Sequence, residues 1–183
     1  MAGLAEVYMI AYNDLQSITP GTSAVYSTAS NGVVNNVGLV TNKNFVLIGT
    51  LKSTAGLKET LNKDVQKGIY FFNQNLSIFL SDLTLENIAF IQSVLYQPVS
   101  VLLKSRTKKY FIIGLNGLFE LTAIDGGTGT AEGDTIGYNL IFQGISRKLA
   151  ALVDDSIIPI LLGFENSLSN SYVVNDYVDS YFE

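Results

Sequence analysis

The sequence predicts a mainly-β fold of the α+β class, an antiparallel β-sandwich or barrel with one packed helix, a long N-terminal loop and a C-terminal arm. Three observations carry that expectation. Four strand-like runs, Val99–Leu103, Lys109–Gly114, Leu118–Ile124 and Tyr138–Phe142, follow one another with Gly/Asn/Asp turns between them. A single helical pattern, Leu85–Leu95, precedes them. Before that helix, Leu76, Ile78 and Leu80 alternate with Asn75, Ser77 and Phe79, the period of a half-buried strand.

Taken in order, Ala5–Tyr12 suits an N-terminal strand, because its aromatic and β-branched residues pack on a pleated surface. Ser17–Asn44 is rich in Ser, Thr, Gly and Asn, and reads as a long excursion with one short strand, a candidate projecting loop. Asn44–Leu51 resumes a buried-strand pattern, and the polar stretch Lys52–Gly68 reads as a connection. Ile69–Leu80 is the long strand, with Tyr70-Phe71-Phe72 expected to be buried on both faces.

The helix has Asp82 or Thr84 as its cap and Glu86 in its first turn, where a carboxylate meets the positive end of the dipole. Leu85, Ile88, Ile91 and Leu95, widened by Ala89, Phe90 and Val94, form its apolar stripe, which should lie under a sheet. Pro98 stops it.

Among the later strands, Phe119, Leu121 and Ala123 should point one way and Leu118, Glu120, Thr122 and Ile124 the other. Asn116-Gly117 signals a hairpin, and Ser105-Arg106-Thr107 a second one. The stretch from Asp125 to Gly137 reads as loop throughout. Leu149–Gly163 fits short helix or strand, with Pro159 interrupting it. These boundaries give a β domain over 1–152 and an acidic extension over 153–183.

The chain has 183 residues, enough for one domain with or without arms and for a substantial core. Charged residues make up 15%, against about 25% in an average domain. So little charge suggests a surface partly covered by further copies of the subunit. No apolar run approaches the ~20 residues of a membrane span, and no secretory signal is expected at Met1-Ala-Gly. The charge is also uneven. There are 11 basic and 10 acidic residues through Lys148, then Asp154, Asp155, Glu165, Asp176, Asp179 and Glu183 with no base among them. This end is either a solvated tail or an acidic arm that docks on a neighbour or lines a passage.

Several chemistries drop out. Without His or Cys there is no Ser-His or Cys-His nucleophile and no zinc site of the usual kind. Asp154-Asp155 and Glu132/Asp134 are the carboxylate pairs that remain for acid/base work, and surface acids are the simpler reading of both. Gly126-Gly127-Thr128-Gly129 lacks the Lys-Ser/Thr ending of a phosphate loop. Asp125, Glu132 and Asp134 lack the spacing of a calcium loop. Lys104, Arg106, Lys108 and Lys109 form the one basic patch, a hairpin tip for an interface or for solvent rather than a nucleic-acid site. No catalytic residue, cofactor or metal is expected.

The segment Gly127-Thr128-Gly129-Thr130 through Asp134, Gly137-Tyr138 and Phe142 resembles the stretch that leads into the last strand of tailed-phage tail-tube and related tail proteins. The helix Leu85–Leu95, set before the run from Val99-Ser-Val to Asn116-Gly117, is similar to that family's order of elements. The resemblance covers Phe45–Leu152. The opening Gly3-Leu-Ala-Glu-Val-Tyr also looks like virion proteins of phages of Bacteroidetes, including crAss-like phages. The Ser17–Asn44 loop and the acidic arm depart from a minimal tube subunit and leave room for a neck, ring or tail-completion protein on the same fold.

The resemblance implies a virion protein, made in the host cytoplasm, that self-assembles into hexameric or dodecameric rings beside other tail or neck proteins. DNA would pass through without specific binding, and no membrane is involved. A non-catalytic surface- or carbohydrate-binding β-sandwich is the alternative.

Overall fold

A computed structural model describes residues 3–49, 54–81, 84–127 and 136–164. The fold is mainly antiparallel β with two short helices, built as two sheets that share one core.

The first sheet has the order β11-β8-β7-β1-β4. Its strands are β1 (Leu4–Ala11), β4 (Val46–Ile48), β7 (Val99–Ser105), β8 (Tyr110–Ile113) and β11 (Ala151–Leu152). The second is β5-β6-β10-β9, made of β5 (Gly56–Asp64), β6 (Ile69–Ser81), β9 (Phe119–Gly127) and β10 (Gly137–Ser146). Alternation along each strand sends Val7, Met9, Val101 and Leu103 from the first sheet, and Leu76, Ile78, Leu80, Leu140 and Phe142 from the second, into one cluster. Phe119 and Phe142 stack there with ring centroids 6.2 Å apart. Neither sheet closes into a barrel among the described residues.

The opposite face of the first sheet is also buried. Ile10, Leu102 and Ile112 meet Val25, Val34 and Val37 from the long excursion, and Val153, Ile157, Ile158 and Leu161 from the segment after β11. The excursion therefore does not project. It folds into a hairpin of β2 (Tyr26–Thr28) and β3 (Val34–Val37), two strands where one was expected, and Val34 pairs in parallel with Val153. Its isolated Val residues, sparse within a polar stretch, are the ones that face inward. Packing runs unbroken across position 152 as far as Leu161. Residues 165–183, with most of the acidic arm, lie outside the described residues.

Pro159 does not interrupt this last segment. It sits in the first turn of α2 (Ile158–Leu161), where a missing N–H has no cost.

Other elements depart from expectation for local reasons. Lys52–Gly68 is not a connection, because nine of its residues form β5, paired residue by residue with β6 from Gly56↔Ser77 to Asp64↔Ile69. It is an edge strand, and edges are blunted with lysine and other polar residues rather than filled with apolar ones. Conversely, β4 is only three residues long, with Val46 and Leu47 exposed rather than buried.

Tyr70 is exposed and Phe71 and Phe72 are half-buried, since the β6 end they occupy extends past the core. Asn116-Gly117 closes no hairpin: β8 and β9 belong to different sheets, and the turn at Gly114–Gly117 carries the chain between them. Asp125–Gly127 continues β9 rather than starting a loop. A bulge at Thr122, between Leu121↔Phe142 and Ala123↔Ile141, resets the alternation and puts Ile124 on the Leu121 face, paired with Leu140.

The helix α1 (Leu85–Val94) is capped by Thr84, whose Oγ1 accepts from Asn87 N at 3.2 Å; Asp82 lies outside the described residues. Only Ile91 and Val94 are buried. Leu85, Ala89 and Leu95 face solvent, so the apolar stripe is not covered as the sequence led us to expect.

Candidate functional site on the polar face of the four-stranded sheet

The outer face of β5-β6-β10-β9 follows from register. Inward positions of β6 are Gln74, Leu76, Ile78 and Leu80, which leaves Asn73, Asn75, Ser77 and Phe79 outward. Pairing extends this across the sheet, so that Lys58, Asn75, Gln143 and Glu120 form one lateral row running over all four strands. Thr60, Asn73 and Ile145 form the next, and Gly56, Ser77, Ile141 and Ala123 another.

A shallow groove of about 610 Å3 runs along this face, lined by Lys58, Thr60, Asn62, Asn73, Asn75 and Gln143 among others. Ser77 Oγ donates to Asn139 Oδ1 at 3.3 Å. The surface is therefore rich in amides and poor in charge, with Lys58 and Asp64 on one edge strand and Glu120 and Asp125 on the other. Asp125, which the sequence set aside as a calcium ligand, is one of those acids, exposed and paired with Asn139.

Behind the groove, Gln74 is buried and donates Nε2 to Glu59 Oε1 at 2.8 Å, and the same oxygen accepts Ala150 N at 2.8 Å. One carboxylate thus ties the edge strand β5 to β6 and to the chain beyond β10. Spacing alone did not reveal this link, since it depends on the pairing Glu59↔Gln74.

The two edges of the sheet are long. β5 and β9 each have nine residues, and among the described residues neither has a partner on its outer side. Such edges present rows of unpaired N–H and C=O groups, a template for another chain.

The other residues singled out from the sequence are scattered. Asp154 caps the turn before α2, accepting Ser156 N at 2.9 Å, and that bond holds its carboxyl below the usual range; Asp155 beside it is exposed. Glu132, Asp134 and the Thr128–Thr130 stretch lie outside the described residues. Among the described residues no group of three or more acids could hold a metal. No helix among them is long and apolar enough to cross a membrane.

The basic patch is a true hairpin tip between β7 and β8, where Ser105 N donates to Lys109 O at 2.8 Å. Lys104 turns inward instead, with Nζ 2.9 Å from both Glu6 oxygens and over the Tyr110 ring. Tyr8 donates its hydroxyl to Glu6 as well.

Tyr8's hydrogen bond, and next Lys104, hold Glu6 below its ordinary pKa despite partial burial; the bond to Glu6 raises Lys104. A carboxylate with a depressed folded-state pKa stabilises the fold above its unfolded value, about 4.3. That contribution disappears as pH falls through the lower, folded value. The matching share from Lys104 is lost only at pH above the ordinary lysine range. Glu6→Gln should therefore lose less of its stability than the parent between about pH 5 and pH 3. Urea midpoints at the two pH values measure this directly.

No protein-family model, curated protein or solved structure matches this chain.

Proposed function

We propose that this chain is a structural protein of a tailed-phage virion, a tail-tube-like β-sandwich that assembles into a hexameric or dodecameric ring in the tail or neck. The ring is part of the conduit through which DNA passes, and the protein is not an enzyme. The resemblance around Gly127–Phe142 supports this reading. The observation that carries it is the pair of nine-residue edges, β5 and β9, on one four-stranded sheet, both unpartnered among the described residues.

Joining β5 of one copy to β9 of the next removes both edges at once, and repeating that head-to-tail contact closes a ring. Outward on β5 stand Lys58 and, at its far end, Asp64, and outward on β9 stand Glu120 and Asp125, so the Lys58 end of β5 is where opposite charges can meet. The polar face would then line the opening. With one cation among its outward residues on these rows, it offers phosphates little to hold, and duplex DNA would slide rather than bind.

Proline tests this at the edge. Successive residues of a strand aim their N–H groups to opposite sides, so of Thr60→Pro and Leu61→Pro one removes a bond to β6 and the other a group that faces outward. The outward variant should keep the fold's cooperative unfolding yet lose the rings. Rings that persist in both variants, with both folded, would sink the β5–β9 contact.

A second reading has its own support. The amides Asn73, Asn75 and Gln143, with Thr60, in an open groove suit sugar hydroxyls, and would make the chain a carbohydrate-binding module. Saturable glycan binding by a monomer, abolished by Asn75→Ala, would favour it.

A further inference from the structure

A second groove, of about 390 Å3, lies between α1 and the short edge strand β4 on the other sheet. Met9, Ile48, Val99, Val46, Phe90 and Val94 give it an apolar stretch, and Asp14, Asn42, Lys43, Asn44, Ser93 and Gln97 line the rest. Val46 is 63% exposed. A partly apolar slot beside an open strand edge, with Leu85 of the helix and Tyr96 just past its end also facing water, is an unfinished surface.

The end of the described chain lies at its lip. Phe45 N donates to Leu161 O at 2.9 Å, and Asn44, itself part of the groove wall, reaches Leu162 O with Nδ2 at 3.5 Å. The described chain therefore ends, at Phe164, close to the groove. Within the segment 165–183, Val174, Tyr177, Val178, Tyr181 and Phe182 recur at i, i+3, i+4, i+7 and i+8, while Asn175, Asp176, Asp179, Ser180 and Glu183 fall on the opposite side. That is the spacing of an amphipathic helix with one apolar stripe.

We infer that the C-terminal segment of the same chain docks its Val174–Phe182 stripe into the α1–β4 groove. Physically, this is a helix laid in a groove, with aromatic and branched anchors buried and the acids left in water. Nine residues, 165–173, separate the lip from the stripe, a reach of about 30 Å when extended. A tether this short gives a local concentration on the order of millimolar, which favours the chain's own groove over that of a neighbour. The inference stands apart from the ring, which uses the other sheet.

The absence of cysteine makes a clean test. In the full chain, Ser93→Cys on the groove wall is combined with Val178→Cys on the stripe, or with Ser180→Cys on the opposite side as control. Under mild oxidation the 93/178 pair should form an intramolecular disulfide at a rate independent of protein concentration. It should do so at least about tenfold faster than the 93/180 pair, as expected of a docked rather than a freely diffusing tether. Equal rates for the two pairs would overturn the docking. Crosslinking only as dimers, faster at higher concentration, would overturn the assignment to the same chain and give the groove to a second copy.

Discussion

Phe142→Ala should lower the unfolding free energy by about 3–5 kcal/mol, the usual loss for a fully buried phenylalanine. Phe142 is wholly inaccessible and lies at the centre of the shared core, between the sheets. It stacks on Phe119 with the rings 12° from parallel, so its removal also strips Phe119 of a partner. On β10 it pairs with Leu76 of β6 and Leu121 of β9, which leaves little slack for collapse around the void. Since small domains have only about 5–15 kcal/mol in all, the variant should be near its folding limit at 37 °C. Chemical denaturation with parent and Phe142→Leu measures it. Leucine, which refills part of the space, should recover a substantial fraction.

Gly114→Ala should be comparably severe for a different reason. Gly114 has φ +78°, and a Cβ there would stand 2.4 Å from Val99 O, a backbone atom that cannot swing aside. Its own carbonyl accepts the hydroxyl of the fully buried Ser100 at 2.9 Å, so displacing it also breaks a buried hydrogen bond. This point is where the chain leaves the first sheet for the second, so the strain falls on the crossing that organises the sandwich. Gly68→Ala is the control. It has φ +65° but nothing within 4 Å, so it carries only the left-handed penalty of about 1–2 kcal/mol. Thermal unfolding of the two variants side by side should show Gly114→Ala well below Gly68→Ala, or failing to fold.

That crossing also shows where the sequence stops being informative. Asn116-Gly117 has the composition of a tight hairpin, and the composition is right about a turn, but partner choice depends on which sheet the next strand can reach. The strands around it were legible from their burial: Leu76, Ile78 and Leu80 announce β6 by alternation, and the unbroken run Val99–Leu103 announces β7, which is buried on both faces. β5 was hidden because an edge strand must be polar. The helix pattern with its Thr84 cap was sound, but a stripe of apolar residues tells only that something could cover them, not that this chain's body does.

The candidate site was the least legible part. Asn73 and Asn75 look like ordinary outward residues of one strand. Only register places them beside Lys58, Gln143 and Glu120.

The claim that matters most is that this sandwich is a ring subunit. The most direct measurement is mass analysis of the intact, full-length protein across a wide concentration range, with negative-stain imaging of the same samples. The account calls for closed six- or twelvefold rings, or stacked tubes, with an open centre. A single monomeric species at every concentration, with no rings in the images, would contradict it.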